Sequence, residues 1–469
     1  LVTRLGRFAR TFTLTSNDRA NLMTATGDPT SLLDALLKKA KKAGADEADA
    51  FIMHGISLGA SYRLGKSEDL QRSEGRDLSL RVLLGRRQAM VSTTDFADET
   101  LDTLVERAVA MAQAVPEDPF CGLINSEQLA CDWPDLELAD SREPQTEKLI
   151  DWARRAEEAA RAVPGITNSE GGDASWSRSS AALATSGGFS GNYNSSRFSF
   201  SVSVIAGTDT RMERDYDWSS ACFEEDLNSP EEIGKRAGER ATRRLNPRKA
   251  ASGAVPVVYA PRVSGGLIRH LSGAISGSSV ARGTSFLKDR LNQSVFSSNV
   301  QVIDDPHRKR GLRSRPFDGE GAPTISRHII KDGVLATWLL DSRSARQLKL
   351  RSTGHAARQT GGLPAPAPSN LYLAPGKVSP EALIADIDSG MYVTELIGMG
   401  VNGVTGDYSR GAAGYWIDKG EIAWPVSELT VAGNLSNMFA HLTPANDLTF
   451  RHGIDAPTIR IDGMTVAGQ

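Results

Sequence analysis

Three cysteines, Cys121, Cys131 and Cys222, are all that the 469 residues contain. They are too few and too scattered for a disulfide framework, and without any Cys-x-x-Cys pair a zinc ribbon is excluded. Such usage fits a reducing cytoplasm, where free cysteines act as small core residues. Long apolar runs are also missing: none approaches the roughly 18–20 residues that span a bilayer. Nor does one sign of charge dominate. Lys+Arg 54 against Asp+Glu 57 gives a formal charge of −3, which argues against nucleic acid as a constitutive partner, since that calls for a basic domain or stripe. The remaining composition, 40% hydrophobic and 24% charged, is that of an ordered polypeptide with about two to four domains.

Local catalytic signatures are absent as well. Histidine occurs at 54, 270, 307, 328, 355, 441 and 452, and no two fall at the His-x-x-His, His-x-x-x-His or His-Glu-x-x-His spacing that sets two imidazoles on one helix face. There is no Gly-x-Ser-x-Gly elbow. Gly398-Met399-Gly400-Val401-Asn402-Gly403 spells a dinucleotide fingerprint, but β-like, glycine-broken text follows it where a helix is required. The basic run 307–315 reads as a solvated loop.

What is present organises into two halves. Residues 1–28, with Arg4, Arg7, Arg10 and Arg19 ahead of the first methionine, Met23, read as a tail or a misplaced start. Leu32, Leu33, Leu36, Leu37 and Ala40 form a helical stripe closed by lysines and Gly44. Strand-like text follows at 48–65, 78–85 and 87–94, then helices over about 96–114 and 145–162, separated by a Pro- and acid-rich connection at 116–144. Alternation in 197–205 predicts a strand, and Ser229-Pro230-Glu231-Glu232 opens a helix to about 245. Residues 246–253 are the boundary, giving an N-terminal α+β domain over 29–245 and a β-rich domain over 254–469. In the second, Asp332-Gly333 and Lys419-Gly420 read as hairpin turns and 361–370 as a Pro-rich loop. The fold class is α+β: a helix and antiparallel-sheet half followed by a β-rich half.

The segment 400–434 sets Asn402, Asp407, Tyr408, Ser409 and Arg410 among glycines ahead of a hairpin. A polar run held where backbone approaches closely reads as a peptide- or partner-facing surface, or equally as a tight turn with local pairing.

This segment resembles the PmbA (TldE) branch of the TldD/PmbA family, the modulators of DNA gyrase. The pieces 283–291 (GTSFLKDRL), 341–356 (DSRSARQLKLRSTGHA), 368–376 (PSNLYLAPG) and 453–468 (GIDAPTIRIDGMTVAG) agree in order. The resemblance implies a family in which TldD-type chains carry His-Glu-x-x-x-His and a later Cys as zinc ligands. PmbA-type chains lack them and join a TldD-type chain in one proteolytic complex. Aligned with that motif, this chain reads His270, Leu271 and Ile275, and no Cys follows Cys222. His270 is then a packing residue, and this chain has neither a metal site nor catalytic residues of its own. The implied role is a non-catalytic subunit of a cytoplasmic metallopeptidase acting on unfolded peptides or peptide precursors. Zinc sits in a TldD-type paralogue, and the assembly is a heterodimer or a homodimer. Strand addition to a sheet edge of the β-rich half is the expected way of holding an extended peptide. A non-enzymatic binding protein of gyrase or of peptides, and an autonomous non-metal hydrolase, are the alternatives.

Overall fold

The computed structural model describes residues 29–468, so the reading of 1–28 as a tail lies outside the described residues. The fold is α+β, as expected. Helix α1 (Pro29–Lys42) buries Leu33, Leu36, Leu37 and Ala40 and ends in Lys39, Lys41 and Lys42. Strands β1 (Glu47–Arg63), β2 (Lys66–Leu84), β3 (Arg87–Thr93), β4 (Ile166–Thr185), β5 (Ser190–Ala206) and β6 (Glu213–Ala221) form one antiparallel sheet in the order β3-β2-β1-β4-β5-β6. Helices α2 (Asp98–Ala114), α3 (Thr146–Arg161) and α4 (Pro230–Arg243) complete this half. The Ser229 hydroxyl caps α4 by accepting from the Glu232 N–H at 3.2 Å.

Period-two alternation divides the sheet's two faces. On β1, Ala50 and Ile52 pack with α1 and α2, while Leu58 and Ala60 pack with α3 and α4. The intervening odd residues, among them Asp49 and Phe51, point the other way, where Phe51 meets Phe317 of the second half.

That half is built on β7 (Gly253–Tyr259), β14 (Ser389–Ile397), β15 (Asp407–Asp418), β16 (Glu421–Asn434), β17 (Leu442–Pro444) and β19 (Ile459–Ala467), in the order β16-β15-β14-β7-β19-β17. Thr430, Val431 and Ala432 of β16 also pair with Ala467, Val466 and Thr465 of β19, closing five strands into a barrel. Beside it lie β8 (Val302–Asp304), β9 (Arg327–Lys331), β10 (Val334–Leu335), β13 (Leu371–Leu373) and β18 (Ile454–Asp455), and the hairpin β11 (Ala356–Gln359) and β12 (Gly362–Pro366). Helix α5 (Pro261–Ala274) follows β7 directly, and α6 (Ser342–Gln347) faces the first half. The two hairpin turns are as read, with Asp332 and Gly333 at φ 50° and 79° and Lys419 and Gly420 at 48° and 81°.

Two sequence expectations change, and one strand begins earlier than its text suggests. The exposed, charged text 66–77 lacks the apolar alternation of a half-buried strand, yet it continues β2, because Leu64-Gly65 turns the chain back on β1. The Pro-rich loop contributes strand β12. The basic run 307–315 is not a solvated loop: Arg310 pairs with Glu137, Glu225 and Asp226, Arg313 donates to the Pro368 and Ser369 carbonyls, and Arg315 to those of Ala356 and Ala367. Barrel closure pairs β16 with β19, leaving β17 at the margin of the main sheet and β10 and β18 at the margins of the five-stranded sheet.

Arginines of the second half reach buried carboxylates of the first. Asp49 accepts from Arg81 Nε at 2.7 Å and from Arg358, whose side chain comes from β11. Burial alone pushes the Asp49 carboxyl up, but Arg358 and Arg81 together hold it below the ordinary range. Asp215 pairs with Arg262 at 2.7 Å, and Asp217 with Arg451 at 3.0 Å. Arg262 and Arg451 also donate to the Tyr216 and Trp218 carbonyls, so they cover the outer edge of β6. Arg346 of α6 donates to the carbonyls of Phe120, Gly122 and Leu123 at 2.8–3.0 Å, fastening the irregular connection to the second half. Asp49→Ala removes the carboxylate that pairs with buried Arg81 and Arg358, and urea unfolding should register a loss of about 3–5 kcal/mol.

Candidate functional site

Two sequence-derived candidates, the α5 positions and the 400–410 segment, meet at one end of the barrel. The segment is the tip between β14 and β15. Asn402 accepts on its side chain from the Val404 N–H at 2.9 Å, and its own N–H reaches the Asp407 carbonyl at 2.9 Å. Asp407 accepts from the Thr405 hydroxyl at 2.6 Å and from Asn434 Nδ2 at 3.2 Å, which hold its carboxyl below the ordinary value. Ser409 N–H bonds the Gly400 carbonyl at 2.7 Å. A Cβ at Gly400 would lie 2.2 Å from the Ser409 carbonyl oxygen, so this turn requires glycine there. The Phe286 N–H bonds the Gly403 carbonyl at 3.0 Å, anchoring the tip on 283–291.

Asn402, Asp407 and Ser409 are exposed and Arg410 half-buried, its Nε donating to the Ile397 carbonyl at 3.3 Å. Tyr408 does not share that surface: it lies in the barrel core, and burial pushes its phenol up. Strand alternation is the reason, since its neighbours in a β-strand take the opposite face. The sequence reading missed Ile397, Met399 and Val404, which are 60%, 88% and 55% exposed on the same tip. The signal was present in GMGVNGV, where apolar side chains stand between glycines instead of within a periodic stripe.

Helix α5 runs up to this tip. The His270 ring meets the Tyr408 ring edge-on, with centroids 6.0 Å apart. Burial, then Arg410 and Arg269, lower the His270 pKa, favouring the neutral imidazole. Leu271 and Ile275, where the metal motif would set Glu and His, are both fully buried in the apolar core.

One titratable cluster was not foreseen. Asp318 and Glu320 are buried together behind α6, where Glu320 accepts from the Ser342 N–H at 2.8 Å and hydroxyl at 2.6 Å. Asp318 accepts from the Glu320, Ala322 and Ala356 N–H groups at 2.9–3.1 Å. Burial first, then the neighbouring Asp318, push Glu320 up to about 7 against the opposing pull of Arg81. Spacing alone does not mark this pair, which needs the second half folded on Arg81.

With this geometry in place, the family models decide the kinship. Residues 252–468 match the PmbA/TldA metallopeptidase C-terminal domain, 139–245 its central domain and 48–112 its domain 1. The chain belongs to the PmbA/TldD family. Metalloprotease PmbA of Escherichia coli O157:H7 is 39% identical over 90% of this chain and 93% of its own length. A TldD homologue of Buchnera aphidicola subsp. Schizaphis graminum is 29% identical over 50% and 52%. The crystal structure of a candidate modulator of DNA gyrase from Bacteroides thetaiotaomicron superposes with a TM-score of 0.87 at 26% identity, covering 95% of this chain and 100% of that one.

The family name implies a metal, and the residues at α5 do not fit one. Two aliphatic side chains stand where the resemblance to TldD-type chains would set ligands, and the remaining imidazole lies near two guanidinium groups that repel a cation. Among the described residues, no three of His, Cys, Asp and Glu gather closely enough to hold a metal ion. Among the same residues, no helix is long and apolar enough to cross a membrane.

Glu320 supplies a pH dependence. Its folded pKa lies above its unfolded value, so the folded chain binds the extra proton, and stability declines as pH rises through about 4.5 to about 7. Glu320→Gln should remove this slope, stabilising the chain at alkaline pH by on the order of 3 kcal/mol or less and converging with wild type below about pH 4, as measured by denaturant unfolding across pH.

Proposed function

We propose that this chain is a non-catalytic subunit of a cytoplasmic metallopeptidase and acts beside a TldD-type chain that carries the zinc. The observation that carries the reading is the chemistry of α5: Leu271 and Ile275 stand in the core at ligand positions, and His270 lies beside Arg269 and Arg410. Neither aliphatic side chain can ligate zinc or relay a proton. The helix keeps its place in the fold and serves as scaffold for the β14–β15 tip. That tip, with Ile397, Met399 and Val404 around Asn402, Asp407 and Ser409, faces the partner or an unfolded peptide. Rigid turn hydrogen bonds beneath exposed apolar side chains suit a surface that has to be ordered before it is covered.

The test is hydrolysis of an unfolded polypeptide by the chain alone and then with a TldD-type chain from the same genome, with and without chelator. Cleavage only in the mixture, abolished by chelator, is the expected result. Cleavage by this chain alone would overturn the reading, whether chelator blocks it or not. Silence in both settings would favour a binding protein of gyrase or of peptides. In the active mixture, Met399→Asp with Val404→Asp should lower kcat/KM about tenfold or more, while circular dichroism and the thermal midpoint of the isolated chain stay unchanged.

A further inference from the structure

The hydrogen-bonding ladder of β5 is one-sided at its start. β4 pairs with it in unbroken register from Ser190 to Val202, but β6 joins the other side only from Phe198 onward. Beside the unpaired stretch runs the irregular segment 133–140. The Ser196 N–H bonds the Leu138 carbonyl at 2.9 Å and the Asp140 N–H bonds the Ser196 hydroxyl at 2.7 Å, which fastens the segment to the strand's outer side. Backbone groups alternate in direction along a strand, so the N–H and C=O of Asn194 and Asn192 point outward as those of Ser196 do. Nothing among the described residues hydrogen-bonds them there.

Between these groups and the segment lies a cleft of about 480 Å³, within the range of ligand sites. Trp133, Tyr193, Phe223 and Pro316 give it apolar walls. Gly191 lets Trp133 close against the strand, because a Cβ there would lie 2.9 Å from the Trp133 ring. Phe317 supports both Trp133 and Tyr193, with ring centroids 4.8 and 5.5 Å away. On the other wall the Arg310 N–H holds the Leu136 carbonyl at 2.9 Å. Both halves of the chain therefore brace the cleft.

Its chemistry selects the occupant. The open N–H and C=O groups of the two asparagines, in strand spacing, match the backbone of another extended polypeptide. A purely apolar molecule would displace their water and leave them unsatisfied. The charge at the rim is negative. Asp132 and Asp135 are exposed, and neither has an ion-pair partner among the described residues; Asp135 accepts from the Glu137 N–H at 2.9 Å. The nearby cations Lys309 and Arg310 are already shared among Glu137, Glu225 and Asp226. Such a rim repels an anion and draws a lysine or arginine side chain to Asp135 and the aromatic walls.

We propose that the cleft between 133–139 and the outer edge of β5 binds extended polypeptide: about three lysine- or arginine-bearing residues add to Asn192–Asn194 as a short strand. Strand addition then occurs on the N-terminal sheet and not in the β-rich half. The site does not depend on the accessory-subunit reading, because this chain alone should bind. The probe is a fluorescein-labelled, unstructured peptide of Gly, Ser, Val and Lys, titrated with the full-length chain. Its anisotropy should saturate, and glutamate in place of lysine should weaken binding about tenfold or more. Methylating alternate backbone nitrogens of the peptide should cost about as much, since strand addition uses them as donors. Asn194→Pro should also weaken binding about tenfold: it removes an outward N–H, which the free edge of a strand tolerates. Asp135→Asn keeps the turn acceptor, and most of the lysine preference should be lost. Hydrogen exchange within 190–196 should slow when the peptide is bound. The methylated peptide and Asp135→Asn test the site even if Asn194→Pro fails to fold. A chain that binds no peptide at its highest soluble concentration overturns the proposal. So does binding that prefers glutamate, binding indifferent to methylation and to Asp135→Asn, or exchange protection that lies wholly outside 190–196.

Discussion

Buried aspartates answered by arginines from the other half of the chain hold this molecule in its shape. Asp49, Asp215 and Asp217 sit on the N-terminal sheet with almost no exposure, and Arg358, Arg262 and Arg451 come to them from beyond residue 252. A carboxylate removed from water is tolerable only with its counter-charge in place. The first half alone would keep Arg81, Arg236, Arg240 and Arg244 beside these carboxylates, but would lose the pairs that Arg358, Arg262 and Arg451 add. The halves are thus bound by a requirement of both, and everything at the barrel end is positioned relative to the sheet through those ion pairs.

On that frame, α5 is a packing helix: Leu271 and Ile275 belong to the same core as Tyr408 and the barrel strands. Three exposed apolar side chains, Ile397, Met399 and Val404, sit on the tip above, which is anchored by hydrogen bonds to the 283–291 segment and to Asn434. The polar cluster read from the sequence is mostly what holds that tip in shape. The part left exposed and apolar is the trio Ile397, Met399 and Val404.

Periodicity carried most of the fold. The stripe of α1, the Ser229 cap, the alternation of β5 and both Gly-bearing hairpins were legible, because each depends on residues close in sequence. The missed features depend on distant ones. Residues 66–77 carry no core-facing alternation, and only β1 alongside makes them a strand. The 307–315 cations look solvated until Glu137, Glu225 and the Ser369 carbonyl are brought beside them. Barrel closure rests on three residue pairs between β16 and β19, which no local pattern announces. At the site, Tyr408 was placed with its neighbours by chain proximity, whereas the pleat sends it the other way.

The position of β7 in the barrel has a consequence in time. Both of its neighbours come much later in the chain, β14 from Ser389 and β19 from Ile459. At ribosomal rates of about 5–20 residues per second, the roughly 200 residues between Tyr259 and Ile459 take about 10–40 s to make. Such non-local pairing is also intrinsically slow once the partners exist. Through that interval Val257, Val258 and Tyr259, fully buried in the finished barrel, wait with at least one strand edge bare.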